Sequence, residues 1–429
     1  MGISRRTMLK TGALGSMAWG LVPPASELVA RVEAQQPLPA AFDKLQPIRE
    51  RVRPITPEEF QGRLALAQRL MREAKPPFHA LYITPGSSLY YYTGIRWSGA
   101  ERLLALLLPR QGEPVIVCPA FEEPRLRELL RWPVEVRVWQ EDESPYALAA
   151  KSLADGGLRS GRIGVEETTL FAFFDGLRKA APAFEYASAD PVTVGCRSRK
   201  TEHELELMQL ACEATFAVFQ AALASLREGM TQRDLSTLVS LGFQRMGLAG
   251  GALAGFGKWA ALPHGTTQTQ KLVEGEVVLV DGGTSVEGYA SDVTRCTVLG
   301  KPTDNLKQAF DTVRRAQDAA LATAVRGRPC GAVDEAARKA VTDAGYGTGY
   351  QLFTHRLGHG IGLDGHEHPY LVRGSKTTLE PGMTFSNEPG IYVRGEYGIR
   401  LEDVIVIEEN GPARLLTPGF STSLEKPFG

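Results

Sequence analysis

Two aspartates interrupt an apolar, β-prone segment in the second half of the chain, and they constrain its fold more than any other feature. The segment Val277–Gly300 opens with the apolar strand Val277–Val280, which is followed by Asp281, a predicted turn at the Gly-Gly pair and a second predicted strand that carries Asp292. This pattern predicts a hairpin in which both carboxylates can point into one site. Two buried carboxylates in close proximity repel each other unless a cation neutralises them. The pair alone is equally compatible with ordinary turn aspartates, which Gly-rich hairpins often use.

A second pair of carboxylates lies nearer the C-terminus, again beside β-prone residues. Glu388 precedes a Pro-Gly dipeptide, and Glu402 lies in the strand-like run IRLEDVIVI. Strand alternation places Asp403 on the side opposite to Glu402. The simpler alternative is a set of surface glutamates on an edge strand, which explains Glu408 and Glu409 well and Glu402 poorly.

Four of the seven histidines of the chain fall within sixteen residues, Thr354–Pro369, which read THRLGHGIGLDGHEHP. One imidazole from this run would complete a ligand set with Asp281, Asp292, Glu388 and Glu402. An oxygen-rich set of this kind favours Mn²⁺-like or borderline divalent ions, and four negative charges indicate two ions. A structural zinc site would use thiolates and imidazoles instead.

The bulk properties exclude several other classes of protein. The net formal charge of −1 gives no electrostatic case for binding nucleic acid or an anionic membrane. The five cysteines are scattered and form no CxxC pair, so neither a zinc knuckle nor a disulfide framework is expected. A length of 429 residues allows two or three domains, each with its own core.

The N-terminus reads SRRTMLKTGALGSMAWGLVPPAS and resembles a twin-arginine export signal. Arg5 and Arg6 precede an apolar run that is too short and too Gly-rich to span a bilayer, so no stable membrane span is expected. The resemblance implies export in folded form, to the periplasm or the cell exterior, with cleavage after Ala34. A disordered basic tail is the alternative.

The remaining sequence divides into two structural regions. Apolar positions recur at helical spacing behind Thr56, and short β-prone runs then alternate with helices, which predicts an α/β domain with a largely covered sheet. Thr201 caps a long amphipathic helix that marks the change of domain. The predicted boundaries are 1–34 for the signal peptide, 35–55 for a linker, 56–190 for the N-terminal domain and 196–429 for the catalytic domain.

Five ordered blocks together resemble the pita-bread metallopeptidase family, which includes Xaa-Pro aminopeptidases, prolidases and methionine aminopeptidases. The blocks are LPHG, VDGGTSVEGYASDVTR, HRLGHGIGLDGHE, NEPGIY and GIRLED, and they are highly specific when matched in order. The first half, mainly through Ser88–Pro109, resembles the N-terminal domain shared by prolidases, aminopeptidases P and creatinases. The resemblance implies a two-domain α/β protein with a smaller creatinase/prolidase-like α/β domain and a C-terminal α+β pita-bread catalytic domain.

The resemblance also implies a ligand set and the nature of the ions. Asp281 would bind one ion bidentately, Asp292 and Glu402 would bridge two ions, and His359 and Glu388 would complete the second. Mn²⁺ is the expected metal, with Co²⁺, Zn²⁺ and Fe²⁺ as alternatives.

Further catalytic residues follow from the same blocks. They are His264, His355, His366, Glu388 and Arg400. The three histidines match family residues that contact the substrate or the tetrahedral intermediate, and Glu388 would carry a proton to the leaving nitrogen. Arg400 would orient Glu402. His368 has no firm counterpart and is expected to be a rim or packing histidine rather than a catalytic one.

The implied reaction removes the N-terminal residue from peptides with proline in second position, by attack of a hydroxide that bridges the two metals. Such an enzyme is an Xaa-Pro aminopeptidase or an Xaa-Pro dipeptidase, and the sequence does not decide between these two. The alternatives are a prolidase-type enzyme with phosphoester side activity and a non-catalytic peptide-binding module of the same fold. The intact ligand set disfavours the binding module. A homodimer is also implied, in which Ser88–Gly99 of one subunit approaches the active site of the other.

Overall fold

The computed structural model of the chain describes residues 38–98 and 101–429. The predicted twin-arginine signal and the predicted cleavage after Ala34 lie outside the described residues. In the part of the chain that the structure describes, no helix is both long enough and apolar enough to cross a bilayer.

Up to Arg197, strands and helices alternate. The strands are β1 (Ala80–Ile83), β2 (Ala105–Pro109), β3 (Val115–Pro119), β4 (Glu135–Trp139), β5 (Gly161–Val165) and β6 (Phe184–Ser188). The helices are α1 (Pro57–Glu73), α2 (Ser87–Thr93), α3 (Glu123–Leu129), α4 (Pro145–Asp155), α5 (Phe171–Ala180) and α6 (Asp190–Arg197). Short 3₁₀ turns occupy Ala40–Lys44, Arg49–Arg51 and Ala120–Glu122.

The six strands form one mixed sheet in the order β4-β3-β2-β1-β5-β6. The strands β1, β5 and β6 are parallel, whereas β2 is antiparallel to both of its neighbours. Side chains of the sheet, such as Tyr82 and Val117, pack with Leu153 of α4 and Phe173 of α5 in a buried apolar cluster. The sheet is therefore covered, as expected for an α/β domain.

Beyond Arg197 the described residues form the second domain. Its helices are α7 (Glu202–Leu223), α8 (Gln232–Arg245), α9 (Asp304–Thr323) and α10 (Cys330–Asp343), with a 3₁₀ turn at Gly257–Ala261. Its strands are β7 (Gly250–Phe256), β8 (Val277–Val286), β9 (Tyr289–Ala290), β10 (Val293–Val298), β11 (Gly358–Gly360), β12 (Glu367–Leu371), β13 (Thr384–Asn387), β14 (Gly390–Val393), β15 (Tyr397–Arg400), β16 (Asp403–Val406) and β17 (Arg414–Leu415).

Two antiparallel sheets meet at the centre of this domain. The first has the order β10-β8-β7, with β9 paired to β8, and the second has the order β12-β11-β13-β16-β17. An isolated bridge between Thr294 of β10 and Glu402 joins them. The helices α7 and α8 contact the first sheet, and α9 and α10 contact the second. Ionisable residues where the two sheets meet are therefore held on strands that are packed against helices in both sheets.

Three threonines begin long helices, and two of these starts, at Thr56 and Thr201, lie at the predicted positions. Thr56, Thr201 and Thr231 each form a capping box with the acidic residue three positions later, so that α1, α7 and α8 start directly after them. Each box satisfies backbone N–H groups that the first helical turn leaves without partners.

The predicted turn at the Gly-Gly pair of the first hairpin is wrong. The strand β8 runs through Gly282 and Gly283 to Val286, and the chain reverses at Glu287 and Gly288, which have φ values of 47° and 88°. A Cβ atom on Gly283 would collide with the carbonyl oxygen of Ser291, so this glycine serves the close approach of the neighbouring segment. Because the hairpin is longer than predicted, Asp292 lies between β9 and β10 rather than within the second strand.

Candidate metal centre

Three carboxylates converge where the two sheets meet. Asp281 lies in β8, Asp292 follows β9, and Glu402 lies between β15 and β16. One oxygen of each carboxylate lies within 4.8 Å of the others. The hydroxyl oxygen of Thr294 is 2.8 Å from Asp281 Oδ1 and 2.6 Å from Glu402 Oε2. The strand pairing thus brings together side chains that are more than one hundred residues apart in the sequence.

A second ligand group lies directly beside the first. It consists of His359 in β11, Glu388 just after β13, and Glu402, again with ligand atoms within 4.8 Å of one another. The His359 Nε2 atom is 3.2 Å from Glu388 Oε1 and 3.8 Å from Asp292 Oδ2. Glu402 belongs to both groups, and Asp292 also forms a group with His359 and His366. Shared carboxylates are the arrangement expected for two neighbouring cations.

The orientation of His359 is fixed by its backbone and by its second ring nitrogen. The backbone N–H of His359 donates to Ser386 Oγ at 3.0 Å, and Nδ1 lies 3.1 Å from the carbonyl oxygen of Gly360. Because a carbonyl only accepts, Nδ1 carries the proton in this contact and Nε2 faces the carboxylates with a free lone pair when the ring is neutral. A Cβ atom on Gly358 would collide with the carbonyl oxygen of Ser386, so glycine allows β11 to lie this close to β13.

Two carboxylates of the cluster hold their protons more tightly than usual. Burial and the charge of Asp281 raise the pKa of Asp292 to about 7. Burial and the charge of Asp292 raise the pKa of Glu402 well above its ordinary value. The Thr294 hydroxyl accepts a hydrogen bond from Arg400 Nε at 3.0 Å and has one proton to donate, so a protonated Glu402 completes its contacts. The donor set therefore fits divalent cations, which would replace these protons.

The pKa of Glu388 is shifted in the opposite direction, because this carboxylate is paired with imidazoles. Burial acts to raise its pKa, but the hydrogen bond with His359 and the charges of His355 and His359 outweigh burial and lower the pKa to about 2. Burial acts to lower the pKa of His359, but the contacts with Glu388 and the charge of Asp292 outweigh it and raise that pKa. The cluster thus combines carboxylates that retain protons with one that is ionised.

Arg400, which was predicted to orient Glu402, makes its direct carboxylate contact with Asp281. Its Nη2 atom is 2.5 Å from Asp281 Oδ2, and its Nη1 atom is 2.9 Å from the hydroxyl oxygen of Tyr392. It reaches Glu402 only through the hydroxyl of Thr294. The reason is that Arg400 ends β15, which lies next to β8, so its side chain meets the carboxylate of that strand first.

The other predicted histidines surround the cluster. The His366 ring stacks on His359, with centroids 3.6 Å apart, and is exposed on its other side. His355 Nε2 is 2.7 Å from the hydroxyl oxygen of Tyr392, and its Nδ1 is 3.9 Å from Glu388 Oε2. Burial lowers the pKa of both His355 and His366, so both are neutral near pH 7.

The other two histidines considered for the site, His264 and His368, are exposed. His264 lies in the segment after the 3₁₀ turn, and its charge contributes to the lowered pKa of His366. His368 packs against the ring of Tyr370, with centroids 4.5 Å apart, and lines a cavity between the two domains. His368 thus both packs on a neighbouring ring and lines this cavity.

The sequence reasoning missed three residues that organise the site, namely Thr294, Ser386 and Tyr392. A signal existed for Thr294, because it lies two positions after Asp292 and strand alternation places positions i and i+2 on one face. No comparable spacing pointed to Ser386 or Tyr392, since their partners are distant in the sequence.

Known proteins match both parts of the chain. A sequence profile for metallopeptidase family M24 matches residues 206–409, and a profile for the creatinase/prolidase N-terminal domain matches residues 63–199. The Xaa-Pro dipeptidase of Lactobacillus delbrueckii subsp. lactis is 34% identical over 338 residues, covering 77% of this chain and 90% of that protein.

Solved structures agree with these matches. The dipeptidase PepE from Mycobacterium ulcerans is 34% identical with a TM-score of 0.79, covering 85% of this chain and 97% of that one. A recombinant prolidase from Thermococcus sibiricus is 30% identical with a TM-score of 0.76, covering 83% and 96%. The likeness extends over both domains, and the predicted fold class is confirmed.

Proposed function

The chain belongs to metallopeptidase family M24 and is a peptidase, and on that premise we propose that it uses two divalent ions to remove the N-terminal residue from substrates with proline in second position. The observation that carries the proposal is the pair of adjacent ligand groups that share Glu402. The relatives named above are an Xaa-Pro dipeptidase, a prolidase and a dipeptidase, which supports Xaa-Pro dipeptides as the preferred substrates.

The ligand groups suggest how the ions would be held. Asp281, Asp292 and Glu402 would hold one ion, and His359 and Glu388 would hold the other together with the shared carboxylates. We assign Mn²⁺ because four of the five ligands are carboxylates. When bound, the ions would polarise the scissile carbonyl and lower the pKa of a water molecule.

The residues of the chain supply the proton transfers. Glu388 is ionised at neutral pH, so it can accept a proton from the attacking water and pass it to the proline nitrogen. That nitrogen must gain a proton to leave, because an amide nitrogen is a poor leaving group as an anion, and it departs as the neutral secondary amine of proline. Glu388 faces His355, whose Nδ1 atom lies 3.9 Å from Glu388 Oε2 and whose Nε2 atom is hydrogen-bonded to the hydroxyl of Tyr392.

The neutral imidazole of His366 can donate a hydrogen bond to the oxygen that becomes negative during attack. His355 has no free N–H when neutral, because Nδ1 donates to the carbonyl oxygen of Arg356 and Nε2 is bonded to the hydroxyl of Tyr392. His366 is suited to this role, since one side of its ring stacks on His359 and the other is open to a substrate. The exposed His264 would contact the residue that follows the scissile bond.

A single digest tests substrate choice. The metal-stripped protein, reloaded with Mn²⁺, is given Leu-Pro, a pentapeptide beginning Leu-Pro, and Leu-Ala as a matched control, and products are followed by mass spectrometry. We expect rapid cleavage of Leu-Pro, slower or no cleavage of the pentapeptide, and little cleavage of Leu-Ala. Faster release of leucine from the pentapeptide would instead indicate an aminopeptidase P. No cleavage of any peptide with metal bound would contradict the proposal and favour a peptide-binding module.

A further inference from the structure

Arg197 ends α6, the helix that connects the two domains, and contacts the turn that carries His366. Its Nη2 atom lies 2.5 Å from Asp364 Oδ2 and 2.5 Å from Glu367 Oε2. The Lys200 Nζ atom lies 2.6 Å from Glu367 Oε1. Two cations of the connector thus face the two carboxylates that bracket His366, and the four charges cancel.

This ion-pair cluster is largely removed from solvent. The side chains of Lys200, Glu367 and Arg197 are 2%, 8% and 14% exposed, and only Asp364, at 45%, lies near the surface. Buried charge-assisted hydrogen bonds are short and directional, and loss of one partner leaves the other charge without compensation. The cluster therefore fixes the geometry of the turn more firmly than a surface ion pair would.

The same turn is held from two further directions. In the N-terminal domain, Ser87 Oγ donates to Asp364 Oδ1, and Ser88 Oγ accepts from Arg197 Nη1 at 3.3 Å. On the opposite side, the backbone N–H of Ala290 donates to the carbonyl oxygen of Gly362 at 2.8 Å. Ala290 lies two residues before Asp292. The turn consequently links the N-terminal domain to the hairpin of the candidate metal centre.

His366 itself has little else to hold it in place. Among the described residues its ring stacks on His359 and takes part in no hydrogen bond. A cavity of about 350 Å³ lies between the domains and is lined by Ser88, Arg197 and His366 among others. The side chain is therefore open to movement unless its backbone is fixed by the residues on either side.

We propose that Arg197 is a positioning residue that sets His366 against the metal centre by holding Asp364 and Glu367. This inference rests on the proposed function, because His366 is assigned there as a donor to the developing negative charge. The N-terminal domain acts on catalysis through the same contacts, since Ser87 and Ser88 reach the turn from α2.

A double-mutant cycle tests this role. Arg197→Met is measured alone and combined with His366→Ala, in the full-length Mn²⁺-loaded protein with Leu-Pro as substrate. We expect R197M alone to lower kcat roughly 10- to 100-fold with KM changed less than about threefold, because a misplaced donor affects the transition state more than substrate binding. In the H366A background the same substitution should lower kcat by less than about twofold. Arg197→Lys, which retains one of the contacts, should recover part of the loss.

Arg199→Met is the matched control, because Arg199 lies two residues away and pairs with Glu380 at the surface. It should leave kcat within about twofold of wild type. Asp364→Asn, at a half-exposed position, repeats the cycle with a milder change and keeps it informative if R197M folds poorly. Equal losses of kcat with and without His366 would overturn the inference.

A readout that does not depend on turnover separates this inference from the proposed function. Amide hydrogen exchange in residues 362–367 should become faster in R197M and stay unchanged in R199M. Unchanged exchange in R197M would refute the positioning role even if the enzyme cleaves Leu-Pro. A wild-type protein that binds Mn²⁺ without cleaving any Xaa-Pro peptide would refute the proposed function instead.

Discussion

At the scale of single residues, the candidate centre contains carboxylates with opposite proton affinities. Burial and mutual repulsion raise the pKa of Asp292 and Glu402, whereas two imidazoles keep Glu388 ionised. Such a cluster is costly to the folded protein while no cation compensates it. Cation binding removes this cost. Because ligand binding and folding are linked, the bound cations should raise the free energy of unfolding.

Glu402→Gln should lower activity without lowering the stability of the metal-free protein. We expect kcat for Leu-Pro to fall on the order of a hundredfold or more, because even residues behind the ligands contribute 10- to 100-fold. The metal-free variant should unfold at the same temperature as wild type or a higher one, since glutamine removes the cost of keeping a buried carboxyl group protonated near neutral pH. Enzyme kinetics and thermal unfolding of the stripped proteins measure both effects.

Glu408→Gln is the control for this pair of measurements, because Glu408 pairs with Arg414 at the surface of the same sheet. It should change neither activity nor metal binding appreciably. A Glu402→Gln protein that keeps wild-type activity would remove Glu402 from the proposed ligand set.

Metal affinity should depend on pH in a defined direction. Asp292, with a pKa of about 7, and Glu402 and His359, with raised pKa values, must all lose protons to bind a cation. Affinity for Mn²⁺ should therefore fall as the pH is lowered from 8 to 6, with protons released on binding. Without metal, the raised pKa of Asp292 makes the folded state bind more protons than the unfolded chain, so the contribution of this group to stability declines as pH rises from about 4 to about 7.

Calorimetric titration in two buffers of different ionisation enthalpy counts the released protons. An affinity that is constant between pH 6 and 8, with no proton release, would show that these groups are already deprotonated in the metal-free protein.

At the scale of elements, α10 supports the loop that carries His355. Arg338 is 6% exposed and pairs with the fully buried Asp334 through two contacts. It also donates to the carbonyl oxygens of Phe353 and His355, and Asp334 Oδ1 accepts from the backbone N–H of Leu357. The helix thus satisfies backbone groups of a loop that has no regular structure of its own.

Arg338→Met should destabilise the protein by about 3–5 kcal/mol, because it leaves a buried carboxylate without its partner. The neighbouring Lys339→Met should cost at most about 0.5 kcal/mol, since Lys339 pairs with Asp343 on the exposed face of the helix. Urea unfolding of the two variants compares them directly. Equal effects would mean that the loop is held by other contacts.

The sequence alone predicted where helices begin when the start is marked by a strong local signal. The caps at Thr56 and Thr201 placed two helix starts correctly, because a cap is a short-range interaction. The hairpin turn was misplaced because glycine is common in turns, whereas Gly283 is required by the close approach of Ser291, which sequence alone does not reveal.

The candidate site also combines features that the sequence predicted with features that depend on contacts between distant segments. All five predicted ligands converge in the structure, but this came from the ordered blocks of a family resemblance rather than from local pattern. The contact of Arg400 with Asp281 and the organising roles of Ser386 and Tyr392 depend on strand pairing between distant segments. Such pairings are tertiary information, and no spacing in the sequence encodes them.

At the scale of the whole molecule, a buried triad joins the two domains near the centre. Arg63 of α1 lies 2.9 Å from Glu204 of α7, and the hydroxyl of Tyr289 bonds to both. Tyr289 is three residues before Asp292, so the N-terminal domain supports the hairpin as well as the turn that carries His366. The two domains are therefore expected to act as one catalytic unit.

The homodimer and the export by the twin-arginine route stay predictions. Sedimentation of the mature protein should give twice the chain mass, and the dimer should cross-link through residues near Ser88. A monomer with full activity would refute a catalytic contribution from the partner. Replacing Arg5 and Arg6 with lysines should leave the protein in the cytoplasm, and export that persists would refute the twin-arginine route.

The central claim, a centre of two ions that share carboxylates, is tested most directly by titrating the metal-stripped protein with Mn²⁺ while Leu-Pro hydrolysis is measured at each addition. We predict two ions bound per chain and an activity that reaches its maximum only when both are present. Full activity with one ion or with none would contradict the account.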